Sequence, residues 1–517
     1  MSVDVSSLFN NYVYGQILNS CAPPSSVSFQ CKPFIPFCYY FDLMTDTTLT
    51  DELLLKLEPE WGSKKIESLK LIYALGDEDR KTRIEKILNI SSRKLLNDNL
   101  LNTNVLLPPV TKEECEGKKE VFAGTVCYGK NGEDKHRELY PLYLNFEDVK
   151  NHTLITGLSG TGKTTLGYNL LIELSQKGKR CIVFDWDRTW RNLLSLDKKE
   201  YPFTEKIKVY TIGRSDIMPF SWNMFFNPPP NVKFSNWLGI SSSKPLQKSL
   251  YSGQGVSDYL ENEAEQLMDA YQNGVLKMLP NIEDMKIRIQ AKYAQARQLL
   301  WKQSTERILK ELTRESMKEV FGSRQPIDIS KEILERDGIT IIEMDIETPE
   351  HLRVLFQELV LNYFMLYYLH KGEAEKEELR TVVFLEEFPN MLPKSKIETQ
   401  TGGEIIKMLF KEARKFGLGI VAIAQESSEL PNYVTANCKI QAHFACQTKR
   451  DIEATAGSLF LKKHEIPYMD LIWQGEAIMK VKGRVKNCLV KIPLAPIKEK
   501  ITDEQLKEMK EKWQPQS

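Results

Sequence analysis

The chain has 517 residues, and its 70 Lys and Arg balance 70 Asp and Glu; zero net charge excludes the bulk electrostatics of a polyanion binder and leaves only local basic stripes. Roughly 100–200 residues per domain gives about three structural units. Nine scattered cysteines, Cys21, Cys31 and Cys38 among them, lack zinc-site spacing and no run reaches the ~18 apolar residues of a membrane span, so the expectation is a cytoplasmic protein with reduced thiols.

Residues 1–110 read as mostly helical in their second half, where Ile66, Leu69, Ile72 and Tyr73, then Ile84, Ile87 and Leu88, recur at helical spacing. The first forty residues, ending in the aromatic run 38–41, fit no class. Residues 111–150 form a short β-rich lead-in: Val121 to Tyr128, a turn at Gly129–Gly132, then Leu142-Tyr143-Leu144.

The next stretch carries the strongest motif. Residues 157–165 read Gly-Leu-Ser-Gly-Thr-Gly-Lys-Thr-Thr, a full GxxxxGK[ST] loop. The short apolar strand Leu154-Ile155-Thr156 precedes it and a helical pattern from Leu166 to Leu174 follows, which is the context the motif requires. Gly157, Gly160 and Gly162 let the backbone N–H groups of the loop, Ser159, Thr161 and Thr165 included, turn inward on a polyphosphate. Lys163 suits the outer phosphates of ATP, and the Thr164 hydroxyl suits Mg²⁺. The alternative is a Gly-rich turn, which needs neither the Lys nor the Thr.

Strand and helix signals then alternate. Cys181 to Phe184 is a strand ending in Asp185-Trp186-Asp187. Residues 226–329 turn helical and charged, with Ile289, Tyr293, Ala296 and Leu300 as one stripe on a long helix. Strand 339–344 precedes a helix opened by Thr348-Pro349 and running through Leu369. Strand 381–385, helix 405–415, strand 418–424 and strand 440–446 complete the series, and 496–517 is a tail. This alternation predicts an α/β fold with a mostly parallel sheet, built from 151–225 and 330–495, with the helical segment as an insertion.

Strand 381–385 runs into Glu386-Glu387. Ligands of open α/β sheets sit beyond the carboxyl ends of the strands. Glu386 is therefore the candidate Mg²⁺ acid, acting through water, and Glu387 the candidate base for the attacking water. Gln425, ending the strand 418–424, is placed to sense the γ-phosphate. Arg414 and Lys415 precede that strand, and Lys449 and Arg450 follow the next. Arg450 first and Arg414 second are the candidates for a cation that completes a neighbouring subunit's site; the alternative for each is an ordinary surface cation.

Taken in order, these segments resemble the HerA/FtsK superfamily of ring-forming P-loop ATPases, in its HerA-like and type IV secretion branch. The matching stretches are 141–165, 183–187, 341–345, Phe384-Leu385-Glu386-Glu387, Glu412-Ala413-Arg414-Lys415-Phe416-Gly417 with Ala424-Gln425, and Trp473-Gln474-Gly475-Glu476-Ala477. The resemblance implies a RecA-like core, ATP and Mg²⁺ as ligands and a homo-hexameric ring with sites between subunits. It also implies ATP-driven movement of double-stranded DNA, or of protein through a secretion channel. Members commonly work beside a nuclease or other effector, in DNA processing or antiviral defence, and the divergent N-terminal region is the natural docking surface. Two departures stand out. The family usually has Asp where this chain has Glu386, whose extra methylene is expected to push the carboxylate outward. The HerA branch also carries an N-terminal β-barrel, which here must shrink to the strands near 120–145. Two other readings stay open: an ATP-gated scaffold for an effector, and a conjugation or secretion motor.

Overall fold

Runs such as Thr381–Leu385 and Leu418–Ala424 are apolar at nearly every position because both faces of the strands they form are covered: every residue in them is buried. In this computed structural model, residues 54–513 are described, apart from 56, 59–60, 101–104, 106, 108–109, 132–134, 294, 315–316 and 393–403. The aromatic run 38–41 and the three N-terminal cysteines lie outside them. The other six cysteines are buried and free.

The strands are β1 (Val121–Asn131), β2 (Lys135–Leu144), β3 (Thr153–Thr156), β4 (Arg180–Asp185), β5 (Ile207–Ile212), β6 (Ile339–Met344), β7 (Thr381–Leu385), β8 (Leu418–Ala424), β9 (Ile440–His443), β10 (Glu476–Val481) and β11 (Val485–Lys491). They form one sheet in the order β2-β1-β11-β10-β9-β3-β8-β7-β4-β6-β5. From β9 to β5 every neighbouring pair is parallel. From β2 to β9 every pair is antiparallel. The fold is thus α/β with a large, mostly parallel sheet, as the alternation predicts. β1 and β2 do not stand apart as a reduced barrel; they pair through β11 with the main sheet.

Register matters most for function. Thr156 of β3 is level with Ala424 of β8, Leu385 of β7 with Ala422, and Phe184 of β4 with Leu385. The phosphate-loop motif, Gln425, the acid pair and Asp185 therefore leave the sheet at one edge. β8 lies between the loop strand and the acid strand, which puts Gln425 between them.

The long helix Glu350–Lys371 crosses the sheet and anchors the helical segment after β5. Trp222, Trp237 of the helix Phe234–Ser242 and Tyr363 are fully buried, with ring centroids 6.0 and 5.9 Å apart in succession. Each such burial contributes about 1.5–3 kcal/mol. N-terminal helices Ser63–Leu75 and Glu78–Leu100 meet over a small core of Leu54, Leu57, Ile66 and Leu88. Ile72 and Ile87 lie outside it, exposed, because the pair buries a single narrow seam.

Several boundaries differ from the expected ones. The stripe Ile289–Tyr293–Ala296–Leu300 is not one helix. The first helix, Ile282–Ala291, ends where Lys292 turns extended, and a second, Ala296–Leu312, starts on a new phase. Ile289 is buried, but Tyr293 and Leu300 are 91% and 71% exposed; Ile308, Leu309 and Leu312 hold the second helix instead. The helix from Glu404 ends at Glu412 and tightens into a 3₁₀ turn, Ala413–Phe416, closed by Gly417 at φ 75°. Pro349 caps the long helix rather than sitting in its first turn. β9 stops at His443, three residues early, as the chain turns beside the phosphate loop. β5, β10 and β11 are additional to the strands expected from the apolar runs, and the tail contains a helix, Asp503–Trp513, with Leu506 buried.

Candidate active site

A cleft of about 450 Å³ opens at the shared strand edge, and its lining includes Lys163, Thr164, Asp187, Glu386, Glu387 and Gln425. The loop is shaped by its glycines. Gly157, Gly160 and Gly162 have φ of 142°, 76° and 119°. A Cβ on Gly157 would come within 2.5 Å of Phe444 Cβ, and one on Gly162 within 3.1 Å of the Phe444 ring. Phe444 therefore presses the loop backbone into the cleft, and Leu158 N–H donates to Ala445 O at 3.1 Å. The helix Lys163–Gln176 starts directly from Gly162, so its free N–H groups face the same space.

Lys163 is buried and donates to Leu158 O at 2.8 Å. Burial pulls its pKa down, against the opposing pull of Glu387, Glu386 and Asp187. Ser159, Gly160, Thr164 and Thr165 line the cleft; Thr161 instead turns its hydroxyl to Leu158 O at 2.7 Å and binds Gly475 N–H through its own carbonyl.

The two acids differ sharply. Glu387 is half-buried, in a left-handed conformation (φ 44°), and accepts a hydrogen bond from Gln425 Nε2 at 2.6 Å. Glu386 is buried and accepts from Trp190 Nε1 at 3.2 Å. Its extra methylene does not push the carboxyl outward, because Trp190 and Asp185 hold it inside. Burial, then the neighbouring Asp185 and Asp187, raise the Glu386 pKa well above the ordinary carboxylate range. Asp185, also raised by burial, accepts N–H bonds from Trp190 at 2.8 Å and Asp187 at 3.1 Å. Asp185 and Glu386 are thus a buried pair of acids, each raised by burial.

Among the described residues no group of three or more His, Cys, Asp or Glu could hold a metal ion by itself. What the cleft offers is the Thr164 hydroxyl and the carboxyls of Glu386, Glu387 and Asp187 along one lining. Mg²⁺ is commonly held by one or two protein oxygens together with substrate phosphates. With a loop cradle that a Cβ would fill and a buried Lys at its centre, these residues fit a Mg²⁺–nucleotide.

The arginines lie apart from this cleft. Arg450 is exposed in the first turn of the helix Lys449–Leu459, on the same sheet edge. Arg414 is exposed before β8, at the opposite edge, where its charge acts on buried His152.

Some lining residues were not assigned a role from sequence. Asp187 follows β4, whose Asp-Trp-Asp ending is the signal that could have found it. Gln474 donates to Gly160 O at 2.9 Å, and Gly475 N–H to Thr161 O at 2.9 Å. Ile492 and Leu494 close the same side. Beyond them the chain runs along the strand edge to Asp503, which pairs with Arg188, Arg191 and Arg214.

Residues 124–366 match the family model for the central domain of helicase HerA. This central stretch carries the HerA-type domain of the P-loop ATPases. No curated protein matches it in sequence. Among solved structures, VirB4 of Thermoanaerobacter pseudethanolicus is similar at TM-score 0.53 and 15% identity, over 73% of this chain and 96% of that one. The plasmid coupling protein TrwB, in complex with ADP and Mg²⁺, is similar at TM-score 0.52 and 13% identity, over 71% and 90%. These likenesses fix the RecA-like fold. For a HerA/FtsK-type ATPase, the cleft at the loop is where nucleotide chemistry belongs. No helix of the described residues is long and apolar enough to cross a membrane.

Proposed function

We propose that this chain hydrolyses ATP with Mg²⁺, in a homo-hexameric ring of its own subunits, to move double-stranded DNA beside a nuclease or other effector partner. The observation that supports this is the meeting of Lys163, Thr164, Glu386, Glu387 and Gln425 in one cleft of a HerA-type domain. The loop N–H groups and Lys163 bind and orient the phosphates, and Thr164 with Glu386 holds the metal side. Mg²⁺, when bound, neutralises phosphate charge.

Glu387 accepts the proton of the attacking water. The water oxygen bonds to the γ-phosphorus, the bond to the β,γ-bridging oxygen breaks, and ADP and phosphate leave. Gln425, already bonded to Glu387, orients the base and feels the loss of the γ-phosphate. Arg450 of a neighbouring subunit stabilises the developing charge, with Arg414 as the second candidate.

ATPase measured with and without duplex DNA tests this reading. The expected result is turnover that duplex DNA stimulates and that falls with salt, since phosphate contacts release counterions. ATPase indifferent to DNA contradicts the DNA track. A conjugation or secretion motor is the second reading, favoured by the similarity to VirB4 and a plasmid coupling protein.

A further inference from the structure

A second cavity, of about 560 Å³, lies under β9 and β10 and has no part in the chemistry above. Its floor follows from strand periodicity. Gln441 of β9 is level with Lys480 of β10, and Lys482 N–H donates to Lys439 O one step further on. Residues two apart share a face, so Lys439, Gln441, Lys480 and Lys482 all line the cavity. Helices Asn432–Asn437 and Lys449–Leu459 wall it.

The charges are unbalanced. Three lysines face one carboxylate, Glu453, which lies 3.9 Å from Lys449. Lys439 pairs with Asp148 at 2.9 Å. Lys480 and Lys482 have no carboxylate partner among the described residues, and they repel each other. Gln441 is 93% buried; its Nε2 donates to Thr435 O at 2.8 Å, but Oε1 has no partner. A buried acceptor without a donor is costly and calls for an explanation. At the rim, Phe460 is 83% exposed at φ 57°, with Lys480 Nζ 4.6 Å from the ring centre on one side.

The floor leads to the phosphate loop. His443, two residues beyond Gln441, is level with Thr156, the last residue before Gly157. His443 Nδ1 and Thr156 Oγ1 are hydrogen-bonded at 2.7 Å, and Thr156 Oγ1 and Ser427 Oγ at 2.8 Å. Ser427 lines the cavity and stands two residues past Gln425.

We propose that this cavity is a second nucleotide-binding site, in which Lys480 and Lys482 hold a phosphate, Gln441 Oε1 takes a donor from the base edge, Phe460 stacks on the base, and Thr156 and Ser427 transmit occupancy to the phosphate loop. The occupant is either a free nucleotide or one unit of a nucleic-acid strand. Binding here is independent of the ATPase reading; the effect on the loop rests on it.

The test uses the full-length Lys163→Ala protein, to remove the contribution of the first site, with two probes, AMP and a ten-residue oligothymidylate. One of them binds, and adding Lys480→Ala and Lys482→Ala weakens it at least tenfold. AMP binding identifies a free nucleotide; binding of the oligothymidylate alone identifies a strand. Gln441→Leu weakens the same probe several-fold with an unchanged circular dichroism spectrum, which separates loss of the site from loss of the fold. In the otherwise wild-type chain the two Lys substitutions leave basal ATPase intact, whereas saturating probe shifts the KM for ATP and Ser427→Ala removes that shift. Binding of neither probe, or binding indifferent to the two lysines, overturns the site. An unmoved KM overturns the coupling. An inactive ATPase would sink the main functional reading and leave the binding result standing.

Discussion

Gln425 Nε2 donates to Glu387 Oε1 at 2.6 Å, tying the end of β8 to the end of β7 across the mouth of the cleft. Because β8 lies between the loop strand and the acid strand, a side chain at the end of β8 is the one best placed to link base and phosphate. Gln425→Ala should leave nucleotide binding near normal and slow turnover, within the ~10²–10⁴ that a positioned base contributes. Unchanged turnover would mean that this bond is incidental.

Lys163→Ala should abolish hydrolysis and weaken nucleotide binding. Lys163 is the cation at the centre of the loop, held there by Leu158 O until phosphates replace it. Binding is checked by calorimetry and turnover by phosphate release. Normal turnover would reduce the motif to a structural turn.

Completion of the site by a neighbour has a mixing test. Arg450 and Arg414 both lie outside the cleft, so an arginine that acts does so from another subunit. Arg450→Ala alone should lose about 10³–10⁵ in rate. Mixing it with Lys163→Ala under proven subunit exchange should restore part of the activity. If mixing restores nothing and Arg450→Ala alone stays active, Arg450 is not the finger, and the mixture with Arg414→Ala tests the second candidate.

Acid stability should carry the mark of His443. Burial, with a smaller push from Lys480, lowers its pKa from 6.5 to about 3. The folded chain therefore resists a proton that the unfolded chain accepts below pH 6.5. The stability at stake is fully present above pH 6.5 and is lost as pH falls toward 3, at about 1.4 kcal/mol per unit. In urea titrations, His443→Gln should gain about 2 kcal/mol relative to wild type between pH 7.5 and pH 5. A difference that does not vary with pH would show His443 to be protonated in the fold.

Strands buried on both faces were legible because burial leaves only apolar choices: 381–385 and 418–424 match β7 and β8 residue for residue. β5 was not, since Lys208 interrupts its run, and its edge position permits that. β10 and β11 were hidden by Lys480, Lys482, Arg484 and Lys486, which a half-solvated antiparallel hairpin tolerates. The loop, the acids and Gln425 could be placed from sequence because strand ends in such sheets converge. The raised pKa of Glu386 could not. It arises from burial and then from Asp185, and nothing in the local sequence shows that a 3₁₀ turn folds back over the acid.

The division of labour between the acids is the centre of the account, and paired substitutions measure it. Glu387→Gln should hold ATP and turn it over about 10²–10⁴ more slowly, because an amide can bond water yet cannot take its proton. Glu386→Gln should raise the Mg²⁺ concentration needed for half-maximal rate. Magnesium titrations of ATPase on both proteins, with bound ATP counted in parallel, decide the matter. Retained ATP in the first and a raised magnesium requirement in the second is the predicted outcome; the two phenotypes exchanged, or both proteins as active as wild type, would contradict it.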